Sequence, residues 1–282
     1  MRAHVWGCRG SLATPGPETV RYGGNTSCVE IRTDDGALIV LDAGTGIRLL
    51  GAALGAEAPT TIHLLLTHLH LDHLEGFPFF APVWSSDTEL HVWGPPSPVR
   101  SLEDRIARYI SPPLFPRQLS DVPARLSFHD VPDEEWTIGS ARILAHPVSH
   151  PGPTLGYRLT ENGRSLAYIP DHEPALGLDD LAAMSPEWLS GHALASDVDV
   201  LLHDAQYSGE EYRARVGWGH SKVDDAVTFA LSAGARRLVL FHHDPLHGDS
   251  DLEALLLSAA RLWGDEGTPP ALAHEGLTFA LH

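Results

Sequence analysis

The sequence predicts an α+β fold of two sheets covered by helices, on three observations. Short apolar runs bounded by Gly, Pro, Asn and Asp recur along the chain, and helical periodicity interrupts them in both halves. Hydrophobic residues make up 43% of the 282 positions, enough for a substantial core. The apolar runs that read as strands are 29–31, 38–41, 62–66, 90–93, 143–145, 155–159, 166–169, 198–202 and 238–241. Apolar residues at helical spacing mark 47–54, 102–110, 223–231 and 252–262 as helices. Strands outnumber helices, and the interspersed pattern suits sheets with helical cover. One faint echo stands out: Leu41-Asp42-Ala43 resembles His203-Asp204-Ala205, each ending a predicted strand in Asp-Ala.

The chain reads as a single domain over 1–282. Its proline-rich stretch 95–132 still carries Ile106, Tyr109, Leu114 and Phe115, so it reads as an ordered loop-and-helix excursion over the site. Lys and Arg number 19 against 37 Asp and Glu, a net charge of −18. Such a surface repels polyanions, and long nucleic acid is not an expected partner. A small anion remains compatible, because bound divalent ions would make the site locally positive. Cys8 and Cys28 are too few for a disulfide scaffold and read as buried thiols in a reducing compartment. The first residues lack a signal peptide's apolar region, and no run of about 18 apolar residues exists. A cytoplasmic protein without membrane partners is expected, and a homodimer is a compatible assembly.

The most informative segment is Thr67-His68-Leu69-His70-Leu71-Asp72-His73, which follows the apolar run 62–66. Residues two apart on extended backbone share a face, so His68 and His70 can grip one ion. Asp72 and His73 fall where the chain turns away and can face a second. Imidazole nitrogens with a hard carboxylate suit zinc, with manganese or iron as alternatives. Other strand ends also deliver ligand-capable side chains: Val148-Ser149-His150-Pro151, Tyr168-Ile169-Pro170-Asp171-His172 and Phe241-His242-His243-Asp244-Pro245. Side chains alternate along a strand, so only one of His242 and His243 should face the metals.

These blocks, together with Trp6-Gly7-Cys8-Arg9-Gly10-Ser11, resemble the metallo-β-lactamase superfamily over most of the chain. Within it, the ribonuclease Z and cyclic-phosphate phosphodiesterase branch is the nearest in pattern. The resemblance implies a four-layer αβ/βα sandwich with metals at one edge. It implies two divalent ions: His68, His70 and His150 on the first, Asp72, His73 and His242 on the second, with Asp171 bridging. It favours His242 over His243. Leu202-His203-Asp204-Ala205 and Gly217-Trp218-Gly219-His220-Ser221 are similar to paired motifs in which an acidic residue, usually glutamate, orients a histidine near the leaving group. Here Asp204 would orient His220. Asp42, before Gly44-Thr45-Gly46, looks like a structural position that steadies the histidine motif. The glycine-rich loops 7–11 and 22–27 read either as tight turns or as sources of substrate contacts, with Arg9, Ser11 and Asn25 the candidates.

The implied reaction is phosphodiester hydrolysis by hydroxide generated at the metals, with His220 assisting the leaving alkoxide. Transfer-RNA-processing relatives usually carry a long arm between the third histidine and the bridging aspartate. Only 20 residues separate His150 from Asp171, and two strands with a turn account for them. Together with the acidic surface, this points to a small phosphodiester such as a cyclic nucleotide or cyclic sugar phosphate. The alternatives are a lactone or thioester hydrolase using the same metals, and a non-catalytic sensor that binds a ligand at them.

Overall fold

The computed structural model describes residues 1–178, 181–265 and 267–281. One sheet contains β1 (Arg2–Gly7), β2 (Cys28–Arg32), β3 (Leu38–Leu41), β4 (Thr61–Leu65), β5 (Glu89–Gly94) and β6 (Arg125–Asp130), adjacent in that order. The other runs through β7 (Trp136–Ile138), β8 (Ala141–Pro147), β9 (Leu155–Glu161), β10 (Arg164–Ile169), β11 (Val200–Asp204), β12 (Leu238–Phe241) and β13 (Ala271–Leu272). The chain then returns, and β14 (Thr278–Ala280) pairs antiparallel with β1 to complete the first sheet. Helices α1 (Ile47–Leu54) and α2 (Leu102–Ala107) cover the outer face of the first sheet. On the second sheet, α3 (His192–Ala195), α5 (Val223–Ser232) and α6 (Asp249–Trp263) do the same, while α4 (Gly209–Tyr212) is a short turn of helix between β11 and α5. The result is the expected αβ/βα sandwich.

Three apolar layers hold it together, and the strand sequences show why. In β3, Ile39 and Leu41 enter the core between the sheets, whereas Leu38 and Val40 enter the layer under α1 and α2. In β12, Val239 and Phe241 face the central core and Leu238 and Leu240 face α5 and α6. A strand covered on both faces must be apolar throughout, which is why these segments read as unbroken hydrophobic runs. Strands β3 to β6 are mutually parallel, as are β10 to β13. Their carboxyl ends therefore open onto one edge, where loops can gather side chains on a rigid frame.

Several elements differ from the sequence reading. The stretch 95–132 is not an excursion of loop and helix alone, because it ends in β6, the edge strand of the first sheet. Its residues Leu102 and Ile106 are buried in the outer layer, and Ser101 caps α2 by accepting from Asp104 N at 3.1 Å. Tyr109 reaches the loop after the histidine motif, donating from Oη to the Glu75 carbonyl at 2.9 Å, and Phe115 packs edge-on against Phe79 with ring centroids 6.1 Å apart. The predicted helix 102–110 stops at Ala107, and β1, β6, β7, β13 and β14 were not anticipated. No helix among the described residues is long and apolar enough to cross a membrane.

Ile39→Ala should cost about 2–5 kcal/mol, since a fully buried side chain between the sheets leaves a cavity. Urea unfolding should show a lower midpoint with an unchanged slope. A loss below about 1 kcal/mol would mean that the central core collapses around the gap.

Candidate metal centre

The edge formed by the strand ends collects the predicted residues into two adjoining sets. His68, His70, His150 and Asp171 form one, and Asp72, His73, Asp171 and His242 form the other, with ligand-capable atoms within 4.8 Å of each other in each. Nε2 of His68 lies 2.8 Å from Nδ1 of His70, which is 3.2 Å from Nε2 of His150. In the second set, Nε2 of His73 is 3.4 Å from Nε2 of His242, and Asp72 Oδ2 is 3.2 Å from the latter. Asp171 belongs to both sets. Its Oδ2 faces His68 and His150 at 3.7 and 3.6 Å, and its Oδ1 faces His73 and His242 at 3.0 and 3.3 Å.

Neighbouring groups orient each ring. Asp42, the residue after β3, has a φ of 59° and is fully buried. Its carboxylate accepts from Thr67 N at 2.7 Å and from Tyr168 Oη at 2.9 Å, and it pairs with His73 Nδ1 at 2.8 Å. That pairing turns Nε2 of His73 toward Asp171 Oδ1, 3.0 Å away. His150 donates through Nδ1 to the Gly219 carbonyl at 2.8 Å, and His242 through Nδ1 to Gln206 Oε1 at 3.0 Å. Both again free Nε2 for the site. Asp42 thus has the steadying role expected of it. Thr67, Tyr168 and Gln206 were not anticipated, and as ordinary core or loop residues they carry no local signal.

The site fits divalent cations. Imidazole nitrogens converge at 2.8–3.4 Å, a spacing that a cation held by several nitrogens at once requires. The buried Oδ1 of Asp171 has no hydrogen-bond partner, although buried polar atoms almost always find one. Burial opposes ionisation of Asp171, but the His242, His73 and His68 rings outweigh it and hold the carboxyl well below its usual range. Burial likewise opposes charge on His73, yet the Asp171, Asp72 and Asp42 carboxylates raise its pKa well above the ordinary value. The pocket is built of anionic oxygen and basic nitrogen, which is a cation's complement.

His242 and His243 separate clearly, though not for the expected reason. His242 lies one residue beyond β12 with a φ of 58°, so a left-handed turn rather than strand alternation aims its ring. His243 turns away and donates from Nε2 to the Ala273 carbonyl at 2.9 Å. Burial pushes its pKa down to about 3. Gly10 lies against the His242 ring, where an added Cβ would come within 2.2 Å of Nδ1.

Beside the second set, His220 Nδ1 donates to Asp204 Oδ2 at 2.7 Å, and its ring stacks on His242 with centroids 4.8 Å apart. The aspartate standing where relatives of this pattern usually have glutamate therefore reaches the histidine. Asp204 is fully buried and also accepts from the main-chain N–H groups of His172, Gln206 and Ser221. Burial opposes protonation of His220, but the Asp204 carboxylate prevails and raises its pKa to about 9. The sequence reading missed Glu173, whose only signal was an acidic residue two places after Asp171. It is buried, accepts from Gly217 N at 2.8 Å and Gly219 N at 2.7 Å, and donates its own N–H to the Ser149 carbonyl at 2.8 Å. One carboxylate thereby fixes the loop bearing His220, while its main chain ties in the loop bearing His150.

The three expected substrate contacts fare differently. Arg9 is fully buried, and its guanidinium donates to the carbonyls of Gly23, Asp244 and His247, so it braces loops instead of meeting a substrate. Asn25 directs both its main-chain N–H and its Nδ2 to Glu275 Oε1, which commits the amide to holding a turn. Ser11 is exposed at the rim, and its N–H donates to Asp72 Oδ2 at 2.7 Å. His203 and His247 are engaged elsewhere, with His172 and Glu211 respectively.

A metal centre of paired histidine and carboxylate sets, at the edge of an αβ/βα sandwich, defines a class of metal-dependent hydrolases. A family profile described as Beta-lactamase superfamily domain matches residues 38–243, and the chain belongs to that family. It is 26% identical over 285 residues to a ribonuclease Z of Myxococcus xanthus, covering 86% of this chain and 88% of that one. Among solved structures, the fold is similar to the metallo-β-lactamase fold protein YhfI from Bacillus subtilis, at a TM-score of 0.71, 18% identity and 99% coverage of each chain. It is also similar to a diphosphatase from the PhnP family, at a TM-score of 0.70 and 18% identity, covering 100% of this chain and 98% of the other.

Elemental analysis of variants checks this geometry. His242→Ala should lower metal content per chain, whereas His243→Ala should retain it, and the reverse ranking would reassign the turn after β12. Gly10→Ala should resemble His242→Ala, because the added methyl group occupies the space of the ring.

Proposed function

We propose that the chain is a dinuclear metal-dependent phosphodiesterase acting on a small phosphodiester, cyclic ones included. The single observation that carries this reading is the buried Asp204–His220 pair, 2.7 Å apart and stacked against His242. A bare metal-binding site does not need a second histidine held by its own carboxylate beside the ligands. A hydrolase expelling a poor alkoxide leaving group does. Zinc best suits the donor set, and manganese or iron would be accepted by the same atoms.

His68, His70 and His150 would hold one ion and Asp72, His73 and His242 the other, with Asp171 shared between them. When bound, the ions supply positive charge for the phosphoryl oxygens and make water acidic enough to react near neutral pH. The protein's own part is positional and protonic. Asp42 and Gln206 fix His73 and His242, which sets the location of the phosphorus. Asp204 holds His220 with Nδ1 engaged, so Nε2 carries the proton that passes to the leaving oxygen as the P–O bond breaks. Ser11, at the rim, steadies Asp72 through its main chain, and its hydroxyl accepts from Gln206 Nε2 at 3.5 Å.

Two features favour a small substrate. The segment between His150 and Asp171 is occupied by β9, β10 and their turns, leaving no arm to grip folded RNA. The net charge of −18 opposes any long polyanion. The ribonuclease Z relatives are consistent with phosphodiester chemistry, and the acidic surface argues for a different substrate size.

Metal analysis should return close to two ions per chain, and Asp171→Ala should reduce both. Bis(p-nitrophenyl) phosphate, a 2′,3′-cyclic nucleotide, a 3′,5′-cyclic nucleotide and a lactone, assayed in parallel, separate a phosphodiesterase from a carboxyl-ester hydrolase. His220→Ala should lower turnover by roughly 10²–10⁴-fold on alkoxide leaving groups and less on p-nitrophenolate, with metal content unchanged. Asp204→Asn should show the same pattern more weakly. An equal loss on both kinds of leaving group would assign His220 to phosphate positioning instead of proton transfer.

A further inference from the structure

The acid histidine, stacked on His242, stands in the wall of a cleft of about 330 Å³. That volume lies in the range of sites for small organic ligands, ~300–1,000 Å³. Besides His220, the cleft is lined by Ser11, Tyr207, Arg215, Trp218 and Leu246. The indole of Trp218 is 61% exposed and Leu246 81% exposed, although both side chains would be stabilised by burial.

Neither is a loose surface residue. Glu173, itself 1% exposed, accepts from the N–H groups of Gly217 and Gly219 on either side of Trp218. Those two glycines have φ values of 84° and 92°, so the turn presenting the indole has a defined shape. Across the cleft, the buried Asp244 accepts from Leu246 N at 2.8 Å and from Gln206 Nε2 at 3.1 Å. Two buried carboxylates therefore hold the main chain that carries two exposed apolar side chains in the cleft that His220 also lines. Arg215 adds the cleft's cationic group. Its guanidinium lies 5.0 Å above the Tyr207 ring, its Nη1 donates to the Glu211 carbonyl at 3.1 Å, and among the described residues no carboxylate pairs with it.

We infer that this cleft is the subsite for the leaving arm of the substrate and that it takes a nucleobase-like ring, stacked on Trp218 and meeting Arg215 with an acceptor edge. The acid sits where the leaving oxygen departs, so the arm attached to that oxygen extends into the space next to His220. An indole face stacks on the π-face of a base irrespective of its sequence identity, and free guanidinium N–H groups suit the oxygen and nitrogen acceptors along that base's edge. This assignment rests on the phosphodiesterase reading only for which arm departs.

Calorimetric binding of adenosine 5′-monophosphate and ribose 5-phosphate to the protein with its metals provides the test, since the two ligands share a phosphate and differ by the base. The wild type should bind the nucleotide at least about tenfold more tightly. Trp218→Ala should reduce that preference to within about twofold, and Trp218→Phe should keep most of it. Arg215→Ala should weaken the nucleotide alone. Equal affinity for both ligands in the wild type overturns the subsite, as does a base preference that survives Trp218→Ala. A change of oligomeric state in Trp218→Ala with the preference intact also overturns it and makes the apolar pair a contact between copies. Binding is read without turnover, so an inert protein that keeps a Trp218-dependent base preference would overturn the phosphodiesterase reading and leave the subsite standing.

Discussion

The carboxylate of Asp42 is the joint on which the site depends. It lies at the end of β3 with no solvent contact, and it takes hydrogen bonds from the chain beyond β4, from the tyrosine of β10 and from the ring of His73. Burying a carboxylate without such partners costs several kcal/mol, so these donors are a condition of the fold as much as a convenience for the site. Thr67 and His73 belong to the first half of the sandwich and Tyr168 to the second. The same oxygens that orient a metal-facing imidazole therefore also register one sheet against the other.

A second joint repeats the arrangement. Asp204 ends β11 much as Asp42 follows β3, is equally buried, and takes main-chain donors on one side and the His220 ring on the other. The resemblance between the two Asp-Ala strand ends thus has a common physical content: each strand delivers a buried carboxylate that holds a histidine. The two histidines occupy different positions. His73 faces the shared aspartate, whereas His220 stacks outside His242, and that difference separates a candidate ligand from a candidate acid.

The sequence disclosed these parts unevenly. β3 and β12 were visible because both faces are covered and every residue is apolar. β1 was not, because Ala3 and Val5 are buried while Arg2 is exposed and His4 and Trp6 are half-buried, and the run looks mixed. β6 is a half-exposed edge with no strong alternation. The histidine motif was legible because its ligand-capable residues crowd into a few positions. The groups that aim those residues were less so: Gln206, Tyr168 and Glu173 are far from their partners in sequence and have no distinctive neighbours. Arg9 was a candidate because it lies in a glycine-rich loop, whereas burial and three carbonyl partners make it a brace.

Each candidate donor set draws on both halves of the sandwich: His68, His70, Asp72 and His73 follow β4, whereas His150, Asp171 and His242 follow β8, β10 and β12. A filled site would act as a staple between the sheets, adding to the apolar layer and to hydrogen bonds such as Tyr168 to Asp42 and Tyr157 to the Leu66 carbonyl. Binding free energy would then count toward folding free energy, because the unfolded chain cannot hold the two groups of ligands together. Chelation would remove a cross-link as well as a reactive centre, and thermal tolerance would rise with free metal concentration by mass action. Each full donor set assembles only when both halves meet, so the tertiary structure itself would be the chelator.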